Sequence, residues 1–248
     1  MSEILTQQKA GVLVVTFNRP ACKNAFTRQN YQSLTAILNS AAQSCDIQAV
    51  VLQGSTSVFS AGNDLNDFIE HPPSELQAPV WKFLHALNDF PKPLIAAVCG
   101  VAVGIGSTLL LHCDLVYAAT DARFSLPFVN LGVCPEGASS LLLPRLMGYQ
   151  VAAEVLLTGE AFDTDVALRA GLVNRVLPAA QVQAWALTQA QKIAQKPTAA
   201  VMQSKRLLKL GIQAEVNARI DAEAQAFATL LQEQPAQAAI AAFVARTR

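Results

Sequence analysis

Three stretches of this chain combine residue types and spacing that could do chemistry. Phe59-Ser60-Ala61-Gly62-Asn63-Asp64-Leu65 follows a strand-like run. Glycine followed by Asn and Asp suits a strand-to-helix turn, with Asp64 able to cap the next helix. Such a loop can equally turn a backbone N–H into a cleft, toward a ligand oxygen. The second stretch runs from Cys99 to Leu111, leading from a strand through Gly100, Gly104 and Gly106 into an apolar helix. Its G-x-x-x-G-x-G spacing is a weak nucleotide fingerprint, and glycines at a helix start also let two backbones approach. On either reading, free N–H groups at a buried helix start can stabilise an anion. The third stretch, Leu131 to Ser140, contains Pro135-Glu136-Gly137. Pro and a carboxylate ordinarily suit the first turn of a helix. Here, however, Phe124, Leu126, Phe128, Val129, Leu131 and Val133 precede the acid. In so apolar a wall the charged form is poorly solvated and the pKa rises. The helix dipole pulls the other way, so sequence alone leaves the direction of the net shift open.

Little else in the chain competes for chemistry. His71, His85 and His112 lack metal-ligand spacing, no HExxH or G-x-S-x-G motif occurs, and His112 reads as a packed side chain. No metal site is expected. Eighteen basic and eighteen acidic residues cancel, which argues against a nucleic-acid partner. Charged residues make up only 15% of the chain, which favours surface hidden in an oligomer. Five scattered cysteines without C-x-x-C spacing fit free thiols in a reducing compartment. With no apolar run of membrane-spanning length and no signal or peroxisomal address in view, a cytoplasmic protein is expected.

The elements that must position these stretches are legible from periodicity. Residues 11–17, 49–52, 94–98 and 114–118 read as short buried strands, and 172–176 as a last one. A helix is expected after Thr27, with Tyr31, Leu34, Ile37, Leu38 and Ala41 on its apolar face. Strands alternating with helices predict an α/β architecture with parallel pairing. Beyond about residue 137 the pattern turns helical, broken by Pro144, Gly159, Pro178, Pro197 and Pro235.

Taken in order, these segments resemble the crotonase (enoyl-CoA hydratase/isomerase) superfamily over nearly the whole chain. Asn18-Arg19-Pro20 with Lys23-Asn24-Ala25 is similar to that family's early CoA-binding loop. Ser60 to Leu65 resembles its first oxyanion-hole loop, and Gly100 to Thr108 its second. Cys113-Asp114, Tyr117-Ala118, Ala122-Arg123-Phe124 and Pro144-Arg145-Leu146-Met147-Gly148 continue the match. The resemblance implies repeated ββα units in a spiral core over residues 1–195. A helical region, 196–248, would then cover the site and make contacts in a homotrimer or a dimer of trimers.

Departures from the family pattern narrow the expected activity. Hydratases of the family carry glutamates at the places of Thr108 and Phe128, and both are absent. Glu136 matches the single catalytic glutamate of the Δ3,Δ2-enoyl-CoA isomerases, of which the peroxisomal type looks most similar. The resemblance therefore implies isomerisation of 3-enoyl-CoA to 2-trans-enoyl-CoA in the β-oxidation of unsaturated fatty acids. It assigns Glu136 as acid and base, and the Asn63 and Ile105 amides as the oxyanion hole. Lys23, Ala25, Ala61, Gly62, Asp64, Leu65 and Phe128 would line the acyl-CoA site. No cofactor is implied beyond the coenzyme A of the substrate. Arg19, Lys23 and Arg28 are placed to meet its phosphates, with Lys205, Arg206 and Lys209 as helpers or simply a solvated basic face. Hydration, thioester hydrolysis, decarboxylation, or acyl-CoA binding without catalysis are the alternatives.

Overall fold

The structure, a computed structural model, describes residues 2–247. The chain opens with β1 (Ile4–Lys9) and β2 (Val12–Phe17), an antiparallel hairpin, followed by α1 (Arg28–Gln43). Thr27 caps α1 as expected, in a reciprocal box with Asn30. Three strand pairs follow. The first is β3 (Ala49–Gln53) with β4 (Val58–Ser60), leading to α2 (Leu65–Glu70) and α3 (Pro79–Asp89). The second is β5 (Leu94–Val98) with β6 (Val101–Val103), leading to α4 (Ile105–Thr108). The third is β7 (Leu115–Ala119) with β8 (Arg123–Ser125), leading to α5 (Ser139–Met147) and α6 (Tyr149–Thr158).

The first strand of each pair joins one sheet and the second joins another. The larger sheet has the order β1-β2-β3-β5-β7-β10, and the smaller β4-β6-β8-β9. Here β9 (Ala161–Asp163) precedes α7 (Thr164–Arg169) and β10 (Arg175–Leu177). Each ββα unit advances both sheets by one parallel strand, with Val50 opposite Leu94 and Ile95 opposite Leu115 in the larger. The chain therefore winds as the expected spiral. β3 and β5 read as unbroken apolar runs because their sheet is covered on both faces. One cover is α8 (Ala179–Ala194), which packs on β2, β3, β5 and β7.

The last three helices are α9 (Thr198–Lys209), α10 (Gln213–Leu231) and α11 (Gln234–Thr247). α10 lies against α3 and α5, and α11 against α2 and the 3₁₀ turn Val129–Leu131. Among the described residues, no helix is long and apolar enough to cross a membrane.

Two expectations need correction here. The last strand starts at Arg175 rather than Leu172, because residues 171–174 are the turn that leaves α7. The late lysines do not form a free basic face either. Lys205 is 6% exposed, and its ammonium meets Asp114 Oδ2 at 2.7 Å and the Lys92 carbonyl at 2.7 Å. Lys209 donates to the Asn88 carbonyl at 2.8 Å, and burial pushes its pKa down to about 8. These contacts pin α9 to the core. Lys205→Met takes the ammonium from the buried Lys92 carbonyl and from an exposed Asp114, which keeps its bond from the Leu94 amide. The expected loss is about 1–2 kcal/mol, the scale of one buried acceptor left without its donor. Urea unfolding measures it, and an unchanged midpoint would show the pair to be dispensable.

Candidate active site

The first loop is built by close backbone packing. β4 ends at Ser60, and the chain turns through Gly62 with φ +88°. A Cβ there would lie 2.6 Å from the Val103 carbonyl oxygen, so only glycine lets this loop sit against the end of β6. The Lys23 carbonyl accepts from the Ala61 amide at 2.9 Å, and the Gly62 carbonyl from Phe26 at 2.7 Å. Phe26 in turn accepts from the Asp64 amide at 2.9 Å. With the Gly62 amide donating to Ser60 Oγ at 3.1 Å, the amides on either side of Asn63 are used, and the Asn63 N–H is left without a partner among the described residues. Its side chain is held by the Tyr31 hydroxyl, which donates to Asn63 Oδ1 at 2.5 Å. Asp64 caps α2, whose first residue is Leu65, and also receives the Arg19 guanidinium at 2.6 Å. Arg19 further bonds Glu3 at 3.1 Å and the Ala25 carbonyl at 3.1 Å. Its Nε and Nη1 thus brace the loop.

The second loop faces the first. Gly104 turns the end of β6 into the single turn of α4, and the Ser107 and Thr108 amides bond back to its carbonyl. The Ile105 N–H is left without a partner among the described residues. A Cβ on Gly106 would lie 2.8 Å from the Ser60 carbonyl oxygen, so the two loops touch. Ile105 and Thr108 are three residues apart on α4, about 4.5 Å along its axis.

Thr108 leads to the acid. Its hydroxyl donates to Glu136 Oε1 at 2.5 Å. Glu136 is 1% exposed, and its Oε2 is the one buried side-chain oxygen without a hydrogen-bond partner among the described residues. Ser139 Oγ donates to the Glu136 carbonyl at 2.6 Å, and His112 Nε2 donates to the Gly137 carbonyl at 2.9 Å. Burial pushes the His112 pKa down to about 3, so it is a neutral packed side chain, as expected.

Pro135 and Glu136 do not open the helix, contrary to the ordinary reading of that pair. α5 starts at Ser139, after Gly137 and Ala138 in left-handed backbone. Its free amides are taken by another carboxylate, Glu223 of α10. Glu223 accepts from the Ala138 amide at 2.6 Å, the Ser140 amide at 3.0 Å and Ser140 Oγ at 2.5 Å. The dipole that would have lowered the pKa of Glu136 is thus satisfied elsewhere. Burial pushes the Glu136 carboxyl up to about 8, the Thr108 bond opposing and the Glu223 charge adding to the rise.

A cavity of about 260 Å³ lies beside these loops, with Phe26, Tyr31, Asn63, Phe68 and Val80 among its walls. Glu136 is not part of its lining and sits behind Tyr31. Burial and then the Glu136 charge hold that phenol well above its ordinary pKa. The structure therefore brings Asn63, Ile105 and Glu136 onto three touching segments. Ala25, Ala61, Gly62, Asp64 and Leu65 shape the first of them. The Lys23 side chain is exposed and contributes its carbonyl, while Phe128 is buried in the main core. Sequence reasoning missed the Tyr31 hydroxyl and Glu223. The visible sign for the latter is a carboxylate on the buried stripe Val216, Ile220, Glu223, Ala224, Phe227.

The spiral of ββα units is the crotonase fold. The family described as enoyl-CoA hydratase/isomerase matches residues 7–248, and the chain belongs to it, as an enzyme of enoyl-CoA chemistry. It is 34% identical to 2,3-dehydroadipyl-CoA hydratase of Escherichia coli, over 98% of this chain and 96% of that one. It is 37% identical to enoyl-CoA delta isomerase 2 of Rattus norvegicus, over 83% of this chain and 54% of that one. Among solved structures, Pseudomonas aeruginosa OdaA superposes with a TM-score of 0.95 at 41% identity, covering 98% of this chain and 99% of that one. Both reaction names occur among these relatives, so membership alone covers addition of water and migration of a double bond.

A raised carboxyl pKa fixes the sign of a stability test. The folded chain holds the Glu136 proton between its ordinary 4.5 and about 8, where the unfolded chain has released it. The associated stability is present below 4.5 and lost as pH rises through about 8. Glu136→Gln should match the parent near about pH 4 and exceed it by on the order of 3 kcal/mol near about pH 9. Chemical unfolding at the two pH values checks this, and parallel behaviour of the two proteins would refute the buried, proton-holding carboxyl.

Proposed function

We propose that the protein isomerises 3-enoyl-CoA to 2-trans-enoyl-CoA, with Glu136 as its acid–base group. The observation that carries this reading is the Thr108–Glu136 hydrogen bond. By the family resemblance, Thr108 stands where hydratases hold one of their two glutamates. A neutral hydroxyl here pins one oxygen of a lone carboxyl and leaves the other free. The nearest further carboxylate, Glu223, is consumed by three hydrogen bonds to the loop and helix. Hydration by an acid and a base acting together has no second group to call on.

The reaction needs one proton moved from C2 to C4 of the thioester. The Glu136 carboxylate takes the C2 proton, and the electron pair passes into the thioester as a dienolate. The Asn63 and Ile105 amides donate to the enolate oxygen, each contributing roughly 3–4 kcal/mol by the scale of measured oxyanion holes. The pair then returns as the C2–C3 double bond while C4 takes the proton back from Glu136. No proton is gained or lost overall, and both carbons lie on one face of the chain, within reach of one carboxyl. A carboxyl held near neutrality suits this two-way task better than an ordinary one. Phe26, Tyr31 and Phe68 form the apolar part of the neighbouring cavity's wall, whose other walls include Arg28, Asp67, His71 and Glu75.

Conversion of trans-3-hexenoyl-CoA, followed by the absorbance of the conjugated thioester, tests the proposal. Glu136→Gln should lose at least ~100-fold in kcat. The base must be ionised, so kcat/KM of the parent should rise with pH toward a plateau above about 8. Formation of 3-hydroxyacyl-CoA from the 2-enoyl thioester at a greater rate than isomerisation would overturn the assignment in favour of a hydratase.

A further inference from the structure

The loop that carries Glu136 is governed by a residue nearly ninety positions away. Two consecutive left-handed residues, Gly137 and Ala138, aim the Ala138 and Ser140 amides toward α10, while the Ser139 amide closes on the Glu136 carbonyl at 3.2 Å and not on its carboxyl. Glu223 meets them with both carboxylate oxygens, Oε2 on the Ala138 amide and Oε1 on the Ser140 amide and hydroxyl. The Glu223 carbonyl also accepts from Cys134 Sγ at 3.7 Å, so the same residue touches the loop on both sides of Glu136. It is 6% exposed, on the face of α10 that also buries Ile220 and Phe227. Ordinary packing would place an apolar side chain there.

We infer that Glu223 is a positioning residue for the acid–base step: it occupies the anion site of α5 in place of Glu136, orients the Glu136 loop, and sets a second carboxylate beside it. The inference rests on the isomerase reading for its kinetic consequence, although not for its structural one. Two effects act in the same direction. A carboxylate on the α5 amides removes the partial positive charge that would stabilise an ionised Glu136. Its negative charge then opposes ionisation of Glu136 across a dry interior.

The other charges facing Glu223 do not duplicate this. On its own helix Arg219 lies alongside and donates to Ser140 Oγ at 3.0 Å. From the loop come Glu136 and the Cys134 thiol, the latter pushed up to about 11 by burial. From α5, Arg145 is paired with Glu215, and from α3, His85 is paired with Asp221, while Asp89 accepts from Gln213 and Asn217. Lys82 of α3 is exposed, and residues 234–245 of α11 carry no titratable side chain. Burial pushes Glu223 itself up to about 7, while the Ser140 and Ala138 donors and the Arg219 charge oppose the rise and favour its ionised form.

Glu223→Gln, Glu223→Asp and Arg219→Gln form the test, each read by turnover and by the titration of the Glu136 carboxyl. Infrared difference spectra, with Glu136→Gln as the blank, follow that titration without any substrate. Glu223→Gln should move the acidic limb of kcat/KM and the carboxyl midpoint down together by about one pH unit. The plateau rate should fall about tenfold, as expected of a weaker base, with KM changed less than twofold. Glu223→Asp keeps the charge and should restore the midpoint. Arg219→Gln, a half-buried change that leaves the cap in place, is the control and should move it little, since Arg219 bears on Glu223 and Ser140 rather than on Glu136. An unmoved midpoint in Glu223→Gln, an equal shift in Arg219→Gln, or a Glu223→Asp protein that titrates like Glu223→Gln, would overturn the inference and leave Glu223 a structural cap. If the parent shows no isomerase turnover while the midpoint still moves as described, the proposed reaction fails and the role of Glu223 stands.

Discussion

A carboxyl group at 1% exposure, with one donor and one unpartnered oxygen, is costly to keep inside a protein. Its charged form has lost its water and received a single hydroxyl in return. Everything close to Glu136 bears on that constraint. Thr108 supplies the one hydrogen bond, Gly137 lets the loop sit against Thr108, and His112 holds the Gly137 carbonyl. The helix amides that would have satisfied the acid are turned elsewhere. Such an arrangement opposes maximal stability, as sites built for chemistry often do. It persists because the surrounding core is extensive and the loop is tied at both ends.

The two-sheet spiral explains how three distant segments come to share that environment. Each ββα unit leaves the larger sheet, adds a three-residue strand to the smaller one, and turns. The turns after β4 and β6 are therefore neighbours by construction, since β4 and β6 pair in parallel. Gly62 against Val103 and Gly106 against Ser60 bring the backbones into contact. Side chains contribute through bracing: Tyr31 on Asn63, and Arg19 between Glu3, Ala25 and Asp64. The unpartnered amides of Asn63 and Ile105 follow from the course of the chain, whichever side chains those residues carry.

The same geometry shows what a sequence could and could not disclose. The buried strands β2, β3, β5 and β7 are plain in the apolar runs, as are the Thr27 cap and the Asp64 cap. The strands β4, β6, β8 and β9 have three residues each, too few for a periodicity to register, so the second sheet went unseen. Pro135-Glu136 reads as a helix start because local rules cannot know that a carboxylate will arrive from residue 223. Arg19, Lys205 and Lys209 read as a basic surface until Asp64, Asp114 and the Asn88 carbonyl are placed beside them. In each case the missing term is a contact between residues far apart in the chain. The candidate acid and the two amides were nonetheless legible, through the order of the motifs rather than through any one of them.

The remaining question is why one carboxyl and a hydroxyl should favour moving a bond over adding water. Addition of water needs a base to activate it, an acid to protonate carbon, and room for the water between them. A threonine in van der Waals contact with the Gly137 loop, hydrogen-bonded to the acid, offers neither the second charge nor the room. A proton that leaves C2 for Glu136 then has one favourable destination, C4 of the same dienolate. An isolated base with a raised pKa returns protons as readily as it takes them. If the proposed isomerisation holds, the exclusion of a second acid and the elevation of the first are two aspects of one design, in which the Glu136 carboxyl carries a single proton between two carbons. On the proposed reading, reaction choice in this fold turns on what stands at position 108 and on how completely the α5 amides are diverted from position 136.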